Sequence, residues 1–276
     1  MDRMTWILIG VIGAGALIAV YFMQREPAPE PVAVEETVEE TVETVEPPPV
    51  EVAPPVSETE PPEPTVPVEP PVELPPLDES DEEVKAVLAE AVGEKPVESF
   101  LVPEEVVRKI VVTVDNLPGE KVATRVRAVE PVAGSFEVEG GPDEGYTLDP
   151  DNYDRYVPLV RTLETVEPED MVAAYFRYYP LLQEAYEELG FPGRQFHARV
   201  IAVIDDLLAA PEVDGTIELI RPKVMYEFAD PRLEALSAGQ KMMVRMGPNN
   251  AERVKARLRE LRALLTGEAS GEDEPG

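Results

Sequence analysis

The sequence predicts a mostly α protein: a single-pass transmembrane helix, a disordered Pro/Glu-rich stalk, then an α-helical globular domain with short extended segments. Three observations predict it. Residues 6–23 carry no charge, residues 26–83 carry 19 acids and no base, and the last ~190 residues show apolar spacing of helical period, punctuated by Pro and Gly. The expected parts are an anchor over 1–25, a linker over 26–76, a domain over 77–266 and a polar, frayed tail over 267–276.

The apolar stretch WILIGVIGAGALIAVYFM runs from Trp6 to Met23. At 1.5 Å per residue it reaches roughly 27 Å, enough for the hydrocarbon core of a bilayer. Trp6 and Tyr21 stand near its ends, where amphipathic rings favour the headgroup level. A cleaved signal peptide competes with this reading. Cleavage wants small residues after the apolar run, whereas Val20, Tyr21, Phe22 and Met23 are bulky, so a retained anchor is expected. The long cation-free segment that follows is easy to translocate. The chain is therefore expected in a bacterial inner membrane, amino terminus cytoplasmic and domain periplasmic, with the bilayer its first partner. A chain without cysteine fits export.

Residues 27–76 repeat Pro, Glu, Val and Thr. Proline removes backbone donors, like charges repel, and few side chains can form a core, so the segment is expected to stay extended and disordered. At about 3.1 Å per residue in polyproline II form, fifty residues have a contour of roughly 150 Å. The composition resembles the proline-rich stalks of periplasm-spanning proteins.

In the domain, Ser80, Asp81 and Glu83 form a capping-box pattern before Val84, Val87, Leu88 and Val92, and Gly93 stops that helix. Glu104 and Glu105 open another, with Val106, Val107, Ile110, Val111, Val114 and Leu117 on one face. Asp149-Pro150 predicts a cap and first-turn proline for a helix through Leu163. Pro168 starts a longer one, bent at Pro180 and ended by Gly190. Phe196, Val200, Ile204 and Leu207 mark the next. Extended pieces are expected over 122–138 and 217–228, the second a hairpin broken by Pro222. Asp230-Pro231 begins a helix to Met246, and Gly247-Pro248 separates it from the last, ending at Leu265.

Several blocks carry a family likeness: LPPLDESD at 74–81, VTVDNLP at 112–118, NYDRY at 152–156, PLLQEAY at 180–186, FADP at 228–231 and KMMVRMGP at 241–248. In these the chain resembles the bacterial family catalogued as domain of unknown function 3014. The resemblance implies an anchored envelope protein and supplies no activity and no site residues.

Charge and residue types exclude several classes. The net charge is −32, and residues 84–276 alone hold 36 acids against 22 bases, which disfavours nucleic-acid binding. Without cysteine, and with His197 the sole histidine, neither a Cys-His nucleophile nor a soft metal site can be built. No cofactor is expected. His197 precedes Ile201 by four residues and Ile204 by seven, the pattern of a packing histidine. Tyr153, Tyr156, Tyr175, Tyr178, Tyr179 and Tyr186 suit either a core rim or a carbohydrate-stacking surface.

Two features remain as candidate sites. Asp115 falls on the apolar face of its helix and needs a partner such as Arg108, Arg155, Arg177 or Arg245, or else it caps the next segment. From Gln240 to Arg262 the local net charge is +5, with Lys241, Arg245, Arg253, Arg257 and Arg259 as candidate contacts for an acidic partner. The function expected is therefore a membrane-tethered envelope adaptor or scaffold binding another envelope protein. The alternative is a cell-envelope hydrolase using unassigned carboxylates.

Overall fold

The computed structural model describes residues 73–120, 127–130 and 134–268. The expected anchor and most of the linker lie outside them, as does the tail from residue 269. Among the described residues no helix is long and apolar enough to cross a membrane. They form nine α-helices and one four-stranded antiparallel sheet.

A 3-10 turn, Leu77–Glu79, leads into α1 (Asp81–Val92), which Gly93 ends at φ 92°. The expected capping box does not close. Ser80 is buried and donates Oγ to Leu77 O at 2.8 Å, while Glu83 accepts from Tyr178 Oη at 2.6 Å. Asp81 caps a different helix. Its two oxygens accept from Glu105 N and Val106 N, both at 2.8 Å, satisfying amides at the start of α3 (Val106–Asn116). Between them stands α2 (Glu94–Phe100), which the sequence pattern did not announce because it buries none of its residues. Val106, Val107, Ile110, Val111 and Val114 fill the centre of the helical core, so burial overrides the strand propensity of this Val-rich run.

A hairpin, β1 (Val138–Gly141) and β2 (Gly145–Leu148), then pairs Val138 with Leu148 and Gly141 with Gly145. It lies beyond the extended stretch expected over 122–138, much of which falls outside the described residues. Asp149 Oδ1 accepts from Asp151 N at 2.9 Å, but the following turn is 3-10 over Pro150–Tyr156 before α4 (Val157–Glu164) begins. Pro158 sits in the first turn of α4 and cannot donate backward, so the seven residues Pro150–Tyr156 do not join an α ladder. Helix α5 (Pro168–Glu188) runs through Pro180, and α6 (Phe196–Leu208) follows after Gly190.

The second hairpin is β3 (Glu218–Ile220) with β4 (Glu227–Phe228), giving sheet order β1-β2-β3-β4. Where one helix was expected to reach Met246 there are two: α7 (Pro231–Glu234) and α8 (Ala238–Arg245). The break has a cause. Ala238 N donates to Gly119 O at 2.7 Å and Gly239 N to Leu117 O at 3.0 Å, so the first amides of α8 serve the carboxy-terminal end of α3. Ser237 Oγ accepts from Gln240 N at 3.1 Å and completes the cap. The last helix is α9 (Pro248–Thr266).

Helices α3, α5, α6 and α9 form the main layer, with α1, α4 and α8 against it. A smaller core of Leu148, Ile217, Leu219, Phe228 and Val244 lies under the sheet. Helix α8 is the seam: Met242, Met243 and the C-cap residue Met246 join one core and Val244 the other.

Candidate functional site

The basic run divides into an inner and an outer group. Lys241 is 7% exposed, and its Nζ lies 2.6 Å from Glu234 Oε1 in α7. The other oxygen of Glu234 accepts from Phe228 N at 2.9 Å, so this ion pair ties sheet, α7 and α8 together. Arg245 is half-buried, its guanidinium sheltered 4.9 Å from the Phe228 ring centroid and 5.8 Å from that of Phe136. Burial lowers it to about 9, which leaves it cationic at neutral pH, facing two aromatic rings. Of the five candidate contacts, these two lie beneath the surface.

The outer group is Arg253, Arg257 and Arg259 on α9. Arg253 grips the Glu164 carboxylate through both Nε, at 2.7 Å, and Nη2. Arg257 Nη2 donates to Glu164 O at 3.3 Å and its Nη1 to Glu260 at 3.0 Å. Glu164 ends α4, so two guanidinium groups gather at the negative end of that helix. The Arg253 hydrogen bond holds the Glu164 carboxyl below its ordinary value. Arg259 reaches Glu252 at 3.0 Å and Arg262 reaches Asp205 and Glu268, both at 2.7 Å. The outer face of α9 is thus a mixed lattice in which each named cation has a carboxylate beside it.

Asp115 has its charge partner, on a helix outside the four arginines first considered. Arg199 of α6 places Nε 2.8 Å from Asp115 Oδ1 and donates Nη2 to the Asp115 backbone carbonyl. Both side chains are mostly buried, and the guanidinium clasps the carboxy-terminal turn of α3 where α6 crosses it. This is a joint between helices, with ion pair and cap combined in one residue.

The tyrosines face inward. Tyr156, Tyr175, Tyr178 and Tyr186 are all under 5% exposed, and burial raises Tyr156 to about 12. Tyr175 Oη lies 3.0 Å from Nδ1 of His197, whose ring packs near Phe176 and which burial holds below the ordinary histidine value. Gln183 accepts from Phe196 N at 2.8 Å and donates to Arg194 O at 2.8 Å, stitching the α5–α6 corner. The acids that burial raises stand apart in the chain. Asp170 is in the first turn of α5, and Asp206 accepts from Ser237 Oγ at 2.7 Å and Gln240 Nε2 at 3.1 Å.

One cleft of about 270 Å³ opens between α3 and α5, lined by Glu105, Arg108, Lys109, Val112, Glu188 and Leu189. Glu105 is the described non-glycine residue with positive φ, 53°. Arg108 spans the mouth, with Nε 2.7 Å from Glu188 and Nη2 2.6 Å from Asp78. Apolar spacing could not announce this cleft, since its charged residues come from separate segments of the chain. Its chemistry is that of a shallow recess closed by a two-sided ion pair. Among the described residues no group of His, Asp and Glu is arranged to hold a metal ion.

Fold and surface together define an α-rich helical domain with a small antiparallel sheet, whose buried charges serve as joints between elements. This chain belongs to the family described as "Protein of unknown function (DUF3014)", which matches residues 106–262, from the start of α3 to the last turns of α9. The block at 74–81 that supplies the α3 cap lies outside the matched span. Neither a curated protein nor a solved structure matches.

Proposed function

We propose that this protein is a membrane-tethered adaptor or scaffold of the cell envelope, its α-rich domain binding another envelope component at a distance set by the acidic stalk. The observation that carries the reading is the order of parts in the sequence: an uncharged stretch over 6–23, a proline-rich acidic stretch without a cation, then the helical domain. Tethering raises the local concentration of a binding domain without any chemistry of its own. The bilayer is the first partner, through residues 6–23, and the orientation is amino terminus cytoplasmic with the domain periplasmic.

The outer arginines Arg253, Arg257 and Arg259 support a surface for an acidic protein, because each is held in place by a carboxylate that a stronger anionic partner can displace. Lys241 and Arg245 act beneath that surface by fixing α8. The test is crosslinking of the full chain in intact cells, followed by carbonate extraction and purification. Recovery in the membrane fraction, with a crosslinked protein that Arg253→Glu together with Arg259→Glu abolishes, is the expected result. Recovery of the intact chain from the soluble fraction defeats the tether, and a crosslink indifferent to both substitutions defeats the surface.

A further inference from the structure

Among the described residues four large apolar side chains are exposed; Leu189 stands alone at the end of α5, and the other three gather at one place. Ile220, Val224 and Met225, at 47%, 71% and 47% exposure, all belong to the β3–β4 hairpin, with Arg221 and Lys223 exposed among them. Ile220 ends β3 and pairs with Glu227, so the six residues 221–226 form the tip. Arg221 is draped over the Tyr226 ring at 5.2 Å and bonds Val224 O at 3.2 Å, which gives the tip a defined shape.

A second tip projects beside it. Strand β2 pairs antiparallel with β3, Tyr146 opposite Leu219, so the β1–β2 turn and the β3–β4 loop leave the same end of the sheet. Tyr146 and Tyr226 meet edge to face at 5.2 Å, which fixes the two tips as neighbours. The β1–β2 turn carries Asp143 and Glu144, both exposed. One end of the sheet thus presents a basic, apolar tip next to an acidic one.

From this pairing we infer that the hairpin end of the sheet is a self-association surface whose occupant is a second copy of this chain. A two-fold axis between the tips sets Arg221 and Lys223 of each copy against Asp143 and Glu144 of the other, with Ile220, Val224 and Met225 covered between them. Isologous contacts need a patch complementary to itself, and this one is. An anionic lipid surface fits less well, since Asp143 and Glu144 cancel the attraction that Arg221 and Lys223 provide. Two short tips bury less than the ~800 Å² per partner of a standard interface, so the dimer is weak and forms as copies become concentrated. The inference stands without the tether, because both tips belong to the folded domain.

The test is sedimentation equilibrium of the full chain in density-matched detergent over a wide concentration range. Four proteins are compared: the wild type, Arg221→Glu with Lys223→Glu, Asp143→Lys with Glu144→Lys, and all four substitutions together. Each tip reversal is expected to weaken dimerisation about tenfold, each exposed pair counting twice by symmetry, and the combined swap to restore it to within about threefold. Helix content by circular dichroism checks folding. If a reversed tip misfolds, the chain's lack of cysteine allows a second measurement: copies with Lys223→Cys mixed with copies bearing Glu144→Cys should crosslink through a short bismaleimide, and neither should alone. A wild type that stays monomeric, a dimer indifferent to both reversals, or a combined variant without rescue overturns the inference. So does a Val224→Asp variant that sediments as the wild type does, since Val224 is one of the side chains the contact covers.

Discussion

Gly247→Ala tests the seam between the two cores. Gly247 joins α8 to α9 at φ 82° and ψ 159°, a region almost closed to residues with a Cβ. A Cβ there would lie 2.5 Å from Cγ of Tyr153 and 2.7 and 2.8 Å from its two Cδ atoms, where carbon atoms ordinarily keep ~3.5 Å or more. The Tyr153 backbone cannot simply retreat, because Asn250 Nδ2 holds the Tyr153 carbonyl at 2.9 Å and the Met246 carbonyl at 2.9 Å. The backbone conformation costs about 1–3 kcal/mol and the overlap about 1–3 kcal/mol more, so Gly247→Ala should lose about 2–6 kcal/mol. Urea unfolding of the full chain in mild detergent, followed by far-ultraviolet circular dichroism, measures it. Tyr153→Ala removes the ring and leaves the backbone conformation alone. In that background Gly247→Ala should cost only the backbone part, a coupling of about 1–3 kcal/mol. A loss under about 0.5 kcal/mol, or the same loss in both backgrounds, refutes the steric argument.

Gly239→Ala makes a contrast: its Cβ overlaps the side-chain end of Leu207 at 2.6 Å and meets Leu117 O and Cβ at ordinary contact, 3.5 and 3.7 Å, so a turn of the Leu207 end relieves it and the loss should stay near 1 kcal/mol by the same assay. Asp81→Ala removes two amide contacts at the start of α3 and should cost about 1–2 kcal/mol, with hydrogen exchange fastest at Glu105 and Val106. Lys241→Met leaves Glu234 without its cation and should cost about 1–3 kcal/mol, which Lys241→Met with Glu234→Gln partly returns in a double-mutant cycle. His197 titrates below its ordinary value because it is buried, so the unfolded chain takes up the proton first as pH falls. Stability should be level above the unfolded value, about 6.5, and decline as pH drops through it; His197→Gln should lose this part of the slope in urea midpoints between pH 5.5 and 7.5.

Helix positions were legible wherever an apolar period met a clear stop, as at Val84 and Leu88 before Gly93, or Phe196 through Leu207 before Pro211. What the sequence could not show were the exchanges between elements. Ser80 and Asp81 read as a local cap, yet the cap acts on Val106, 25 residues away. The pattern from Asp230 to Met246 reads as one helix because only the fold brings Leu117 O and Gly119 O to the amides of α8. The β1–β2 hairpin was hidden by its length, four residues per strand with two of β1's four being glycine. The basic run misled through its sum. Lys241 and Arg245 sit one turn apart among Met242, Met243, Val244 and Met246, and a helix wedged between two cores sinks whatever cations it carries. Arg253, Arg257 and Arg259 share α9 with a narrower stripe of Val254, Leu258 and Leu261, which leaves room for an outer face.

The blocks that carry the family likeness share one kind of work. In NYDRY, buried Asn152 bonds Glu137 N at 3.0 Å and Glu137 O at 2.6 Å, fastening the chain beside β1, while Tyr153 closes over Gly247. FADP supplies Phe228 to the sheet core and Asp230 as the cap of α7, whose Glu234 returns to Phe228 N. KMMVRMGP presents Lys241 to that same Glu234, methionines to the helical core and Gly247 to Tyr153. PLLQEAY gives Gln183 to the amide of Phe196 at the start of α6. Side chains spent in this way hold layers in register, and replacing any of them should change stability before it changes binding. Binding must then be sought where these blocks are absent: on the outer arginines of α9 and at the paired hairpin tips. Charge reversal at the tips or at Arg259 should leave unfolding midpoints nearly unmoved, as surface substitutions do, while altering association. A reversal at the tips or at Arg259 that lowered stability as much as Gly247→Ala would erase the division between joint and surface on which both assignments stand.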